Sequence, residues 1–173
     1  MRLSLLPRIV AESVTDLTPE LLHSRKIRLL MMDFDNTIVP YVTDEPTPQM
    51  LAWLEQMKTS DIILCVVSNS HKERVKIFCK KYGIPCITHA KKPFGRGIHE
   101  CLARFDRKPE ECALVGDQIF TDTLGANGTG VTSILVKAIC NHTFWLKARG
   151  VLEIPFRWMA QGRRIPKSQE HRK

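Results

Sequence analysis

Residues 27–37 read Ile27-Arg28-Leu29-Leu30-Met31-Met32-Asp33-Phe34-Asp35-Asn36-Thr37, an almost unbroken apolar run that closes on two carboxylates one residue apart. A run this apolar reads as a strand buried on both faces, and the turn-forming Asp-Asn-Thr marks its carboxyl end. Side chains two apart on a strand point the same way, so Asp33 and Asp35 are expected to face one spot at the sheet edge while Phe34 packs away from it. Paired carboxylates there can bind a hard cation, attack an electrophile and carry a proton.

Outward from this strand the pattern alternates. Thr47-Pro48 reads as an N-cap with proline at the first helical position, followed by Met50, Leu51, Leu54 and Met57 on one helical face. Asp61 to Val67 is a second buried strand, and a helix carrying Val75, Phe78, Cys79 and Tyr82 stops at Gly83. A short strand at Pro85 to Thr88, a helix over 96–105, a strand at Cys112 to Gly116, a Gly-rich helical turn and a last strand at Val131 to Val136 complete the series. Such alternation predicts an α/β fold, a Rossmann-like parallel sheet with helices on both faces, whose ligands sit beyond the strands' carboxyl ends.

At 173 residues the chain is expected to form one domain. Residues 1–136 are nearly neutral, whereas 137–173 hold 9 Lys and Arg against 2 Asp and Glu and so supply +7 of the formal +8. We therefore expect a catalytic domain over 1–136 and a basic, aromatic-rich C-terminal segment over 137–173. Phe144-Trp145-Leu146-Lys147 through Phe156-Arg157-Trp158-Met159 and Arg163-Arg164 has the make-up of a bilayer-interface segment; a terminal helix docked on the domain with a solvated basic face is the alternative. No apolar run reaches the length of a membrane span and Pro7 interrupts the N-terminal one, so the expected location is cytoplasmic or peripheral on the inner face of a membrane. The six cysteines, 65, 79, 86, 101, 112 and 140, lack Cys-x-x-Cys spacing and read as reduced core residues.

Polar clusters follow four of the strands: Asp33 and Asp35, Ser68 and Asn69, Lys92, and Asp117 with Asp122. Parallel topology brings them to one rim, where a nucleophile, a proton donor, a cation site and donors for phosphoryl oxygens are what phosphomonoester chemistry needs. In order, Asp33-Phe34-Asp35-Asn36-Thr37, Ser68-Asn69-Ser70, Lys92-Pro93 and Gly116-Asp117-Gln118-Ile119-Phe120-Thr121-Asp122 resemble the four motifs of the haloacid dehalogenase superfamily. Leu6-Pro7, Asp16 to Leu22, Arg74-Val75 and Lys92 to Gly97 further resemble its YqeG-type subgroup, similar to phosphatidylglycerophosphatases.

The resemblance implies a magnesium-dependent phosphomonoesterase. Asp33 would be the nucleophile, forming an aspartyl phosphate, and Asp35 the general acid and base. Ser68, Asn69 and Lys92 would hold the phosphoryl oxygens. Asp33, Asp35 through its main-chain carbonyl, and Asp117 would form the metal site, with Asp122 orienting a ligand or water there. The implied substrate is phosphatidylglycerophosphate, met on an anionic membrane surface through the basic segment; the alternatives are a soluble or protein phosphomonoester, and a non-catalytic basic module for RNA or ribonucleoprotein. From Asp35 to Ser68 is 33 positions and from Ser68 to Lys92 is 24, each filled by a helix and a strand, so no separate cap domain of about 50 residues fits. Asp44, Glu45 and Asp61 read as turn carboxylates, and the histidines at 23, 71, 89, 99, 142 and 171 as structural or surface residues, with His71 and His89 near the rim.

Overall fold

The computed structural model describes residues 4–43, 45–71, 73–140 and 153–167; Asp44, His142, His171 and the stretch Phe144 to Lys147 lie outside the described residues. Six parallel strands form one sheet: β1 Ile9–Val10, β2 Leu29–Met32, β3 Ile63–Val67, β4 Cys86–Ile87, β5 Cys112–Gly116 and β6 Thr132–Leu135. Their spatial order is β1-β6-β5-β2-β3-β4, so β2 and β5 lie side by side in the middle. The helices are α1 Pro19–Ser24, α2 Pro48–Lys58, α3 Glu73–Tyr82, α4 Arg96–Phe105 and α5 Leu124–Thr129, and residues 153–159 form a further helix, α6.

The apolar run at β2 does what a doubly covered strand must. Leu30 and Met32 enter one core cluster together with Phe34, with Met50, Trp53, Leu54 and Met57 of α2, and with Val75, Phe78 and Cys79 of α3. Leu29 and Met31 enter the other, against Ile98, Cys101 and Leu102 of α4 and Ala126 of α5. Helices therefore cover both faces, as the unbroken hydrophobicity required. Phe34 is fully buried edge-on to Phe78, with ring centroids 5.2 Å apart; burying a side chain of this size contributes roughly 1.5–3 kcal/mol.

Thr47 caps α2 by accepting from the Met50 amide, with Pro48 in the first turn. On that helix Trp53, not Leu51, fills the core face, because its indole N–H reaches the Leu17 carbonyl at 2.8 Å. Strand β1 was not anticipated; it extends the sheet past β6, pairing Ile9 with Ile134. All six cysteines are free, and Cys65, Cys79, Cys101 and Cys112 are buried. Between β2 and β3 stands α2, and between β3 and β4 stands α3; no separate cap domain occurs among the described residues. No helix among them is long and apolar enough to cross a membrane.

Candidate active site

Strand β2 ends at Met32, and the Asp33 amide still donates to Val115 of β5 at 2.9 Å, so the sheet fixes the first aspartate's backbone. The loop after β4 brings Lys92 to it: Nζ lies 2.6 Å from Asp33 Oδ1 and 2.8 Å from Asp122 Oδ1. Lys91, by contrast, is exposed. Asn69, at the end of β3, donates its side-chain amide to the Lys92 carbonyl at 2.9 Å and accepts from the Lys92 amide at 2.7 Å. Its carboxamide thus holds the lysine's backbone. Ser68 is buried, and its Oγ accepts from the Ser70 amide at 3.1 Å.

Strand β5 ends at Gly116, and the chain turns through Asp117 into a wide π-helical turn, Ile119–Thr123, that carries Asp122 back under the rim. A Cβ at Gly116 would stand 2.2 Å from Asp122 Oδ2, so only glycine leaves room for that return. Asp122 Oδ2 also accepts from the Gln118 amide at 3.2 Å, and the Thr37 hydroxyl donates to Asp117 Oδ1 at 3.4 Å.

Asp33, Asp117 and Asp122 each present a carboxylate oxygen within 4.8 Å of the others, and all three are buried. Among the described residues only the Lys92 ammonium stands between them, and three buried carboxylates with one cation carry an uncompensated charge that costs several kcal/mol. Burial pushes the Asp33 carboxyl up from 3.8 to about 6, with Asp122 and Asp35 adding and Lys92 opposing. Burial first, then Asp33 and Asp122, push Asp117 up to about 8. Burial would push the Lys92 ammonium down, yet Asp122 and Asp33 outweigh it and hold it above the ordinary lysine value. An all-oxygen, hard, crowded donor set of this kind fits a hard divalent cation such as magnesium.

The carboxylate of Asp35 is not part of this trio. The strand pleat does not extend beyond Met32; Asp35 instead bridges to Val39 and Asn36 turns the chain at φ 60°. The Asp35 carboxylate lies 3.5 Å from Arg74 on α3. That guanidinium also donates to the carbonyls of Pro40, Tyr41 and Thr43, fastening the loop after β2. His71 and His89 pack edge to face with ring centroids 4.0 Å apart.

The C-terminal helix docks on the domain, as the alternative reading of that segment had it, but its hold on the site's loop was not anticipated. Glu153, only 2% exposed, accepts from the Ile119 amide at 2.9 Å and pairs with Arg157 at 2.9 Å, one helical turn on. Arg157 Nη2 donates to the Asp117 carbonyl at 2.6 Å, and Phe156 meets Phe120 edge-on at 6.3 Å. The chain then runs to the sheet's edge, where the Ile165 amide donates to Val10 at 2.8 Å. Helix α6 is therefore fastened to the loop that carries Asp117 and Asp122. An acid and a base four apart is a readable helix pair, but nothing in the sequence says that its partners are backbone groups near residue 118.

The sequence profile of a family described as mitochondrial PGP phosphatase matches residues 2–140. The probable phosphatase YqeG of Bacillus subtilis is 36% identical over 136 residues, covering 79% of this chain and 79% of that one. The mitochondrial phosphatidylglycerophosphatase GEP4 of Saccharomyces cerevisiae is 34% identical over 147 residues, covering 76% of this chain and 77% of that one. Among solved structures, the cobalt-bound deoxy-D-mannose-octulosonate 8-phosphate phosphatase of Haemophilus influenzae aligns over 80% of this chain and 91% of its own with a TM-score of 0.55. At 14% identity that likeness shows the shared fold.

Proposed function

Because the chain belongs to the mitochondrial PGP phosphatase family and is a haloacid-dehalogenase-type phosphatase, we propose that it hydrolyses the terminal phosphomonoester of phosphatidylglycerophosphate through an aspartyl-phosphate intermediate. The observation that carries the chemistry is the buried cluster of Asp33, Lys92, Asp117 and Asp122, with Asp35 two residues beyond the first aspartate. What supports the substrate is the family match, together with the phosphatidylglycerophosphatase activity for which the yeast relative is named.

In this reading a carboxylate oxygen of Asp33 attacks phosphorus, the bond to the leaving oxygen breaks, and Asp35 gives that oxygen a proton. Water then attacks the acyl phosphate, Asp35 takes the proton back, and inorganic phosphate leaves. Lys92 holds Asp33 in place and offsets charge on the phosphoryl oxygens, and Ser68 supplies a hydroxyl beside them. Asn69 acts through the Lys92 backbone. Arg74 fixes the loop in which Asp35 stands. Asp33, Asp117 and the Asp35 carbonyl would hold magnesium, with Asp122 beside them; when bound, the ion supplies positive charge where the phosphoryl group gathers electrons. With no cap domain among the described residues to close over the site, a substrate presented on a surface suits it better than a small metabolite that needs enclosure. The basic segment over 137–173 favours an anionic membrane as that surface.

The test is a turnover assay with magnesium against phosphatidylglycerophosphate in vesicles and against a panel of soluble phosphomonoesters. Preference for the lipid by two orders of magnitude or so is the expected outcome. Equal or better turnover of a soluble ester would give the chemistry a different substrate.

A further inference from the structure

Among the described residues, large apolar side chains that remain exposed are not scattered. Val42 is 63% exposed and follows Tyr41 in the loop after β2; Phe94 is 87% exposed in the loop after β4; Ile139 follows β6. Ile154 and Trp158, the latter 72% exposed, stand four apart on α6, the helix fastened to the loop after β5. Every one of these connections lies at the carboxyl ends of the strands, where Asp33, Lys92 and Asp117 are. The turns leading into the strands at the opposite edge, among the described residues, expose no large apolar side chain. Ile77 on α3 is the exception to the pattern.

Single exposed hydrophobes are ordinary on a monomer and mean nothing alone. Here placement is what matters. The loop holding Val42 is clamped to α3 by Arg74 beside Asp35, Phe94, two residues past Lys92, donates its amide to the Lys91 carbonyl, and the Ile139 amide donates to the Asn36 carbonyl. These side chains thus stand on backbone tied directly to the site. Basic residues are interleaved with them: exposed Lys91 by Phe94, exposed Lys137 by Ile139, and Arg163, Arg164 and Lys167 beyond Trp158.

We infer that the mouth of the site is itself a lipid-contact face, whose apolar collar enters the interfacial layer of an anionic phospholipid bilayer and sets the buried carboxylates against a headgroup phosphate. Separate apolar projections on three connections and helix α6, with lysines and arginines between them, match a fluid partner with an apolar interior and a negative surface. A protein partner would call for one continuous, shape-matched patch. Electrostatic attraction through residues 137–173 would gather the enzyme near the surface; the collar decides which face meets it. What the docked enzyme turns over rests on the phospholipid reading above, whereas docking itself does not.

The experiment is cosedimentation of the full chain with vesicles of phosphatidylcholine and phosphatidylglycerol, at low salt and at high salt, where screening removes most of the charge attraction. Val42→Ser, Phe94→Ser and Trp158→Ser combined should lower partitioning at high salt by about tenfold or more. Ile77→Ser, equally exposed but on α3, should leave it unchanged. Phe94→Ser alone serves as the milder variant, with about a threefold loss expected. Lipids brominated in the acyl chain should quench emission in the wild type, and part of that quenching should vanish in Trp158→Phe. Partitioning of the triple variant equal to wild type, equal loss in Ile77→Ser, or failure of the wild type to bind vesicles would each overturn the inference. Collar-dependent binding without hydrolysis of vesicle-borne phosphatidylglycerophosphate would uphold the docking face and remove the proposed substrate.

Discussion

Floor and collar of the catalytic mouth invert the usual distribution of a globular protein. The floor buries four ionisable side chains, Asp33, Lys92, Asp117 and Asp122, in the loops that follow the central strands β2 and β5 and the edge strand β4. The collar, farther along the loops after β2 and β4 and on helix α6, leaves Val42, Phe94 and Trp158 in the open. Charges are tolerated inside because each carboxylate finds the lysine or another polar group, and the negative excess that remains is what a cation can satisfy. Apolar side chains stay outside because the connections that might have held a cap are spent on α2 and α3. The difference teaches that the two rings answer to different partners, the floor to an ion and a phosphate, the collar to something apolar and outside the molecule.

The floor can be broken most severely at Asp33. Asp33→Asn removes the attacking oxygen's charge but keeps its shape, and it leaves Lys92 paired with Asp122 at 2.8 Å. We expect turnover to fall by about a thousandfold or more with little loss of thermal stability. Substantial residual turnover on purified protein would rule out the covalent route. The collar variants should behave in the opposite manner, losing vesicle partitioning while soluble esters are still turned over.

Much of this floor was legible in the sequence, because Asp33 and Asp117 stand immediately after apolar runs and Lys92 and Asp122 follow within the connections after β4 and β5. The helix over Arg96–Phe105 and the strand Cys112–Gly116 were readable to the residue from their periodicity. Strand β1 was not, since two residues carry no period and the partner of Ile9 is Ile134, across almost the whole chain. The pleat argument set Asp35 beside Asp33, and the Asp35 charge does help to raise the Asp33 carboxyl; the turn at Asn36 and the pairing with Arg74 were not readable. Asn69 was expected to face the phosphoryl group, and its bonds to the Lys92 backbone became visible only once two loops 23 residues apart were brought together.

Glu153 joins the two rings, because it anchors the collar's helix to the floor's loop. Glu153→Ala would leave the buried Ile119 amide without its acceptor, at a cost of about 1–3 kcal/mol, and would free Arg157 to leave the Asp117 carbonyl. Melting temperature should drop, and the magnesium concentration for half-maximal rate should rise several-fold with the substrate KM little changed. Glu153→Gln keeps an acceptor for Ile119 and should recover most of both. A lower melting temperature with an unchanged magnesium requirement would mean that α6 steadies the fold without positioning Asp117.

The smallest expected effect is a pH dependence of the floor alone. In the ion-free protein Asp117 titrates at about 8 and Asp33 at about 6, both raised chiefly by burial from an ordinary 3.8. A cation entering the cluster must displace the proton from Asp117 at neutral pH. Apparent magnesium affinity should therefore weaken by about tenfold per unit as pH falls below 8, and level off above it. The sign for stability is the reverse. Groups that hold protons more tightly when folded than when unfolded stabilise the folded chain at low pH, and that contribution is lost as pH rises from about 4 through 8. Melting curves in chelator should thus shift down between about pH 6 and pH 8.5, and added magnesium should raise the melting temperature more at the upper value. Equal magnesium shifts at both pH values would show that the three carboxylates do not share one ion. Collar variants such as Phe94→Ser should leave this pH profile where it is, since no collar side chain belongs to the carboxylate cluster.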